Sequence, residues 1–193
     1  MIIGITGGTG CGKTTLLDLI RDRGGMVLDC DAIYHELLRT DVSLLHAIEN
    51  RFPGTVEDGQ LQRKKLGAIV FRDPKALQDL NRITHSAITA EVLRRLESKS
   101  KLAAIDAIEL FDGGLADLCD VTVAITAPVE DRIQRLLERD GISYEHAALR
   151  IRAQKPESYF REKCDYVLEN DGTLDVFRAK CLAFLRHVCI MDT

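Results

Sequence analysis

Eight consecutive residues concentrate the chemistry of this chain: Gly7-Gly8-Thr9-Gly10-Cys11-Gly12-Lys13-Thr14. They satisfy the spacing G-x-x-x-x-G-K-[ST]. Glycines at this density let the backbone curl so that successive N–H groups converge on an anion. A helix starting near Lys13 adds the positive end of its dipole. Lys13 is long enough to reach the β- and γ-phosphates of a nucleotide, and the Thr14 hydroxyl is a hard oxygen donor for Mg²⁺. Thr15 adds a contact for the α-phosphate, while Gly8, Thr9, Gly10, Cys11 and Gly12 supply the amide cradle. The dinucleotide pattern G-x-G-x-x-G does not fit, because the glycines fall as Gly8-Thr9-Gly10-Cys11-Gly12 and leave Lys13 without a role. No N-K-x-D tetrad follows, which speaks against guanine.

Two acidic positions accompany the loop. Asp29-Cys30-Asp31 follows a short apolar run, Met26 to Leu28. A hydroxyl acceptor needs a carboxylate to orient it and take its proton. Asp31 is the chosen base. Residues two apart on a strand share a face, so spacing alone does not choose between Asp29 and Asp31. Asp31 also reads as the N-cap of a helix beginning at Ala32. Asp106 ends the run Leu102-Ala103-Ala104-Ile105. That is the form of a Walker B strand, whose acid lies near Mg²⁺ or its waters; it is also how many buried strands end.

These groups need elements to position them. Met1 to Thr6 reads as a buried strand, Lys13 to Asp22 as a helix with apolar residues at Leu16, Leu17 and Ile20, and Met26 to Leu28 as a second strand. This is a βαβ unit with parallel strands. From Ala32 to Ser98 no strand is evident. Helical periods recur at Ile33–Leu38, Leu44–Ile48, Leu66–Phe71 and Leu77–Leu96, broken by Pro53-Gly54 and Glu57-Asp58-Gly59. Later come strands at Leu102–Ile105, Val121–Ile125 and Tyr166–Leu168, a basic helix at Glu130–Arg139 and a closing helix at Leu174–Val188. The expectation is a parallel α/β sheet with helical excursions at its carboxyl edge, where ligands bind.

Composition narrows the function classes. The chain has 193 residues, 46% hydrophobic and 29% charged, as in a globular domain. With 26 Lys plus Arg against 30 Asp plus Glu, no cationic field draws it to nucleic acid or anionic lipid. Aromatic residues are 5% and Trp is absent, which weakens base-stacking readings. No apolar run suits a membrane helix or a signal peptide, so a cytoplasmic protein is expected. Six scattered Cys read as small core residues, not as disulfides or zinc ligands.

With those pieces placed, the chain resembles the dephospho-CoA kinase family. Ile3-Gly4-Ile5-Thr6-Gly7-Gly8 and the loop are similar to the family's opening, and Asp29-Cys30-Asp31 to its D-A-D, whose second Asp is the base. Gly59-Gln60-Leu61-Gln62-Arg63 with Leu66 and Val70-Phe71 resembles G-x-L-x-R-x-x-L-x-x-x-V-F, and Leu80-Asn81 through Thr84-His85 resembles L-N-x-I-x-H-P. Arg135 to Gly141 with Ser143, Arg150 and Gln154 resembles the lid segment. Cys164 to Gly172 resembles the stretch near adenine. Departures cluster after the third large strand, where Asp106-Ala107-Ile108-Glu109-Leu110-Phe111-Asp112 stands for D-x-P-L-L-F-E, and Ser86 stands for a Pro.

The resemblance implies a three-layer parallel-sheet P-loop NTPase fold, one kinase domain over residues 1–193. A helical acceptor-binding insertion would cover about 32–98 and a lid about 130–163. It implies transfer of the ATP γ-phosphoryl group to the 3′-hydroxyl of 3′-dephospho-CoA, with Mg²⁺, with no nucleic-acid, membrane or obligate protein partner. The alternatives are a kinase of another small acceptor, a nucleoside or nucleotide, and a non-catalytic ATP-binding module. Asp31 and Lys13 would be catalytic. Arg139 would be the lid cation among Arg132, Arg135, Arg139, Arg150, Arg152 and Lys155, a stretch that also reads as a solvated face because Glu138, Asp140 and Glu145 interleave. Arg63 would hold an acceptor phosphate, against the plainer reading of a surface arginine. His85 would position the acceptor or serve structure alone. Asn170 would meet adenine, although Asn-Asp-Gly is also a turn signal. Asp106 would reach Mg²⁺ through water.

Overall fold

The computed structural model describes residues 1–98 and 100–190; the last residues of the expected domain lie outside them. Two compact units emerge. The first holds residues 1–28, 100–111 and those from 115 on, and the second residues 29–99 and 112–114.

The first unit carries a five-stranded sheet. Its strands are β1 (Ile2–Thr6), β2 (Met26–Asp29), β5 (Ala103–Asp106), β6 (Val121–Thr126) and β7 (Tyr166–Glu169), ordered β2-β5-β1-β6-β7; β3 and β4 belong to the second unit. The pairs β1–β5, β1–β6 and β6–β7 are parallel. The expected α/β parallel-sheet fold is therefore present, and each expected strand is found within a residue or two. Ile3 and Ile5 of β1 are fully buried on one face and pack with Leu16, Leu19 and Ile20 of α1 (Lys13–Arg21). Phe177, Phe184 and Leu185 of α9 (Leu174–Ile190) complete that layer. Burying one such side chain contributes about 1.5–3 kcal/mol. Between these two, Gly4 faces the other way, where an added Cβ would come within 2.7 Å of Cys119 Sγ. This period of two sends one strand to two interiors.

Three elements follow β6. Helix α6 (Val129–Asp140) was expected; α7 (Tyr144–Arg152) and α8 (Glu157–Lys163) were not. Both are short. Helix α7 buries only Ala147 and Ile151 and α8 only Phe160, too few positions to show a period. Ile133 and Leu136 of α6 and Ala147 and Ile151 of α7 form a small core of their own.

The second unit is built on α5 (Pro74–Leu96), with α2 (Cys30–Thr40), α3 (Val42–Arg51) and α4 (Arg63–Val70) packed along it. Arg95 bonds Glu36 at 2.8 Å and Arg51 bonds Asp79 at 2.8 Å, tying α2 and α3 to that spine. The expectation of no strand here is corrected: Val56–Glu57 (β3) pairs antiparallel with Gln60–Leu61 (β4). Asp58 and Gly59 turn the chain with φ of 49° and 72°, the two-residue reversal that Asp-Gly favours. The Glu49 carboxylate accepts amides of Gly54, Thr55 and Val56 at 2.6–3.0 Å, which holds its pKa below the usual carboxylate range and fixes the approach to the hairpin.

Candidate active site at the phosphate loop

The loop between β1 and α1 is shaped by what it touches. Gly7 has φ 135°, and a Cβ there would lie 2.2 Å from the Ile125 carbonyl oxygen of β6. Only glycine allows the chain to leave β1 so close to its neighbour. Gly12 precedes α1, and no described side chain caps the helix. Apart from Thr15, whose amide bonds the Gly12 carbonyl, the first-turn N–H groups thus have no i−4 carbonyl and no side-chain cap, and no acid in that turn offsets the dipole. Such a helix start is complementary to an anion.

Lys13 opens this helix. Its Nζ donates to the Gly7 carbonyl at 3.2 Å and lies 3.8 Å from Asp106 Oδ1. Both side chains are mostly shielded, 14% and 15% exposed, so the pair is screened less than a surface ion pair. Asp106 stands opposite Ile5 in the β1–β5 register, which carries it to the carboxyl end of the strand beside the loop. Thr14 is exposed, and Thr15 is half-buried with its amide on the Gly12 carbonyl at 3.2 Å.

The outer side of the loop is held by residues far along the chain. Arg132 Nε donates to the Thr9 carbonyl at 2.9 Å, and Arg135 Nη1 to the Gly10 carbonyl at 3.0 Å. Gln154 Oε1 accepts the Thr9 amide at 2.9 Å and an Arg132 N–H at 3.1 Å. Asn170, 6% exposed, donates Nδ2 to the Cys11 carbonyl at 2.9 Å and its own amide to Thr126 at 2.8 Å. Thr9 thus gives its N–H to a side chain, and the Asn170 amide nitrogen is spent on the loop. Cys11 is buried, which pushes its thiol pKa up against the opposing charges of Arg132 and Lys13. The sequence singles out Arg139 within the basic stretch and assigns no contact with the loop to Arg132, Arg135 or Gln154. The one available signal was that Arg132, Arg135 and Arg139 fall at i, i+3 and i+7, one face of α6. Arg139 itself bonds Asp140 at 2.7 Å, and Arg150 shares that carboxylate at 2.7 Å. Asp140 is held below its usual pKa by Arg139 first.

A cavity of ≈ 220 Å³ opens beside the loop's neighbours, lined by Thr126, Pro128, Glu157, Arg161, Glu169 and Asp171. Arg161 spans it, bonding Glu157 at 2.7 Å and Glu169 at 2.6 Å.

In the second unit, the cap ambiguity at Asp31 is decided. Helix α2 starts at Cys30, not Ala32, and Asp29 is its N-cap, accepting the Ala32 amide at 3.0 Å. Asp31 sits exposed in the first turn. Arg63, at the start of α4, places Nη2 3.3 Å from His35 Nδ1 of α2. Burial raises the pKa of neighbouring Tyr34, and Arg63 opposes that shift. His85 is half-buried in the middle of α5.

The family model described as CoaE, dephospho-CoA kinase, matches residues 1–175. The chain belongs to the dephospho-CoA kinase family. The Latilactobacillus sakei dephospho-CoA kinase is 32% identical over 192 residues, covering 97% of this chain and 95% of the relative. The Thermus thermophilus dephospho-CoA kinase is 36% identical over 178 residues, covering 91% and 85%. A crystal structure from Thermus thermophilus shares 34% identity at a TM-score of 0.81, covering 97% of each chain. A shikimate kinase from Bacteroides thetaiotaomicron, 15% identical with a TM-score of 0.60 and 98% coverage of both chains, shares the fold.

For a dephospho-CoA kinase family member, Mg²⁺ with the nucleotide is the group to test against these residues. Thr14 hydroxyl and Asp106 carboxylate are hard oxygen donors, few in number, beside a cradle for phosphates. That is the partial, phosphate-completed donor set that Mg²⁺ takes. The residues fit.

Proposed function

We propose that this chain transfers the γ-phosphoryl group of ATP to the 3′-hydroxyl of 3′-dephospho-CoA, giving CoA and ADP. The observation that carries this reading is the Lys13 ammonium, held between the Gly7 carbonyl and Asp106 at an uncapped helix start, in a chain whose family match runs over residues 1–175.

The roles follow from charge. Gly8, Gly10, Cys11, Gly12, Lys13, Thr14 and Thr15 bind the phosphates through loop and first-turn groups. Lys13 neutralises charge that accumulates toward the β–γ bridge as that bond loosens. Thr14, and Asp106 through water, would hold Mg²⁺, which when bound would supply Lewis-acid charge neutralisation on the phosphates. Asp31 takes the proton of the 3′-hydroxyl as its oxygen bonds the γ-phosphorus and the bond to the ADP oxygen breaks. Because the transition state is loose, an ordinary carboxylate is basic enough. Asp29 already caps α2, so Asp31 carries no cap duty that would compete with this role. Arg63 and His85 hold and position the acceptor. Arg139 adds lid charge, and Asn170 supports the nucleotide side through the Cys11 carbonyl. The helices of residues 32–98 serve the acceptor, and residues 130–163 act as a lid that excludes water. The six free thiols suit a reducing compartment, the cytoplasm.

The test is ADP release with ATP and Mg²⁺, with dephospho-CoA or a panel of nucleosides and nucleotides as acceptor. Acceptor-dependent ADP with dephospho-CoA is expected. Turnover only with a nucleoside, or none with any acceptor, overturns the assignment.

A further inference from the structure

The Thr9 peptide is gripped on both sides. Its N–H goes to Gln154 Oε1 at 2.9 Å and its carbonyl receives Arg132 Nε at 2.9 Å. The two side chains also bond each other, Arg132 Nη2 to Gln154 Oε1 at 3.1 Å. The result is a closed ring of three hydrogen bonds joining positions 9, 132 and 154. Arg132 lies in the first turn of α6, and Gln154 follows α7 by two residues.

The fit around this ring is close. A Cβ on Gly8 would come within 2.3 Å of Arg132 Nη2 and 3.0 Å of Gln154 Oε1, and one on Gly10 within 2.8 Å of the Arg132 carbonyl oxygen. The space left beside Gly8, Cys11 and Arg132 is only ≈ 10 Å³, about one water. On this side Gly8 and Gly10 are packed closely against Arg132 and Gln154. Arg132 also makes two directed hydrogen bonds from one planar guanidinium, which a point charge such as lysine cannot reproduce.

We propose that Gln154 and Arg132 are positioning residues that act through Thr9. They hold the phosphate loop in its nucleotide-ready curl before ATP arrives, and the ring stays closed with nucleotide bound, so the Thr9 amide is not a phosphate ligand. The two ends of the α6–α7 segment are thereby fastened to the loop, and order in one enforces order in the other. This rests on the reading of Gly7–Thr14 as the ATP site. Without the ring the free loop samples other shapes, and binding must select the competent one. If roughly a tenth of molecules keep that shape, the apparent Kd for ATP rises about tenfold. Once the phosphates have ordered the loop, the chemical step is unchanged.

The test uses the full chain and three variants: Gln154→Met, Arg132→Lys and Gln154→Glu. Gln154→Met keeps the side-chain length but loses the acceptor. The expected result is a KM and Kd for ATP about tenfold higher at unchanged kcat, with the Thr9 amide exchanging its hydrogen at least about tenfold faster, ATP present or absent. Arg132→Lys should behave likewise. Gln154→Glu keeps an oxygen at that place, so the Thr9 amide should stay as protected as in the parent chain. A merely structural effect would lower active enzyme and kcat together and would not be reversed by Glu. Unchanged Kd and unchanged Thr9 exchange in Gln154→Met overturn the proposal. So does faster Thr9 exchange in the parent chain when ATP binds, because the ring would then be opening. Absence of ADP release by the parent chain would instead strike the ATP-site reading, and the exchange measurement without ATP would still report on the ring.

Discussion

Replacing Gly7 by alanine isolates the physics of the loop's first bend. The backbone there has φ 135°, and the new Cβ would sit 2.2 Å from Ile125 O and 3.2 Å from Ile125 C and N, all backbone atoms of a central strand. No side chain can swing aside to relieve that overlap. The unfavourable φ costs about 1–3 kcal/mol, and forcing the strand or loop to shift costs about 1–3 kcal/mol more. An effect of about 4 kcal/mol is therefore expected, which for a chain of this size lowers Tm by roughly 8–16 °C. Gly59→Ala is the matched control. Its φ is 72°, yet no described atom beyond its chain neighbours comes within 4 Å of the added Cβ. Only the conformational part remains, about 1 kcal/mol and roughly 2–4 °C. Urea unfolding followed by far-UV circular dichroism, with thermal melts alongside, measures both. Equal losses in the two variants would show that contact with Ile125 plays no part, and the account of why the loop starts with glycine would fall.

Other expectations are as direct. Lys13→Met should lower kcat by about 10²–10³ by removing a cation aimed at transferring charge, with the circular dichroism spectrum retained; single-turnover ADP release measures it. Asp31→Asn should lower kcat by about 10²–10⁴ with nucleotide binding kept, and unchanged turnover would remove Asp31 from the mechanism. Asp29→Ala should cost about 1 kcal/mol of stability through the lost cap, whereas Asp31→Ala should show no capping loss in the same urea titration. Glu91 is held down from 4.5 to about 2, chiefly by its hydrogen bond from Arg94 and then by that from Arg95. A depressed carboxylate stabilises the fold above its unfolded pKa, and that stability drains away as pH falls through the folded one. Glu91→Gln should therefore be less stable than the parent near neutrality, with the gap closing between about pH 4.5 and 2; urea midpoints across that range check the sign.

Some features of this protein were decided locally and so were legible in the residues alone. The phosphate loop, the buried strand before it and the helix after it are set by neighbours in the chain: glycines for the turn, β-branched residues for the strand, an apolar stripe for α1. The long α5 showed itself because 23 residues hold enough turns to display a period. Where the local signal was thin, the reading failed. Helices α7 and α8 bury too few side chains to announce themselves, and Asp58-Gly59, which reads locally as a break between helices, turns a hairpin. Spacing also allowed Asp31 to cap a helix beginning at Ala32; backbone geometry gives the cap to Asp29, by starting α2 at Cys30 and bringing the Ala32 amide onto Asp29.

The grip on the loop belongs wholly to the tertiary structure. Arg132, Arg135, Gln154 and Asn170 meet the carbonyls and amide of residues 9–11 across 123 to 159 positions of chain. Hydrogen bonds at such separations leave no periodic trace, because the partners are chosen by where strands and helices end in space. Residue types and near-neighbour spacing thus determined what chemistry the chain can perform. Packing of the parallel sheet with α6 and α7 decided which backbone groups are already spent and which remain for a ligand.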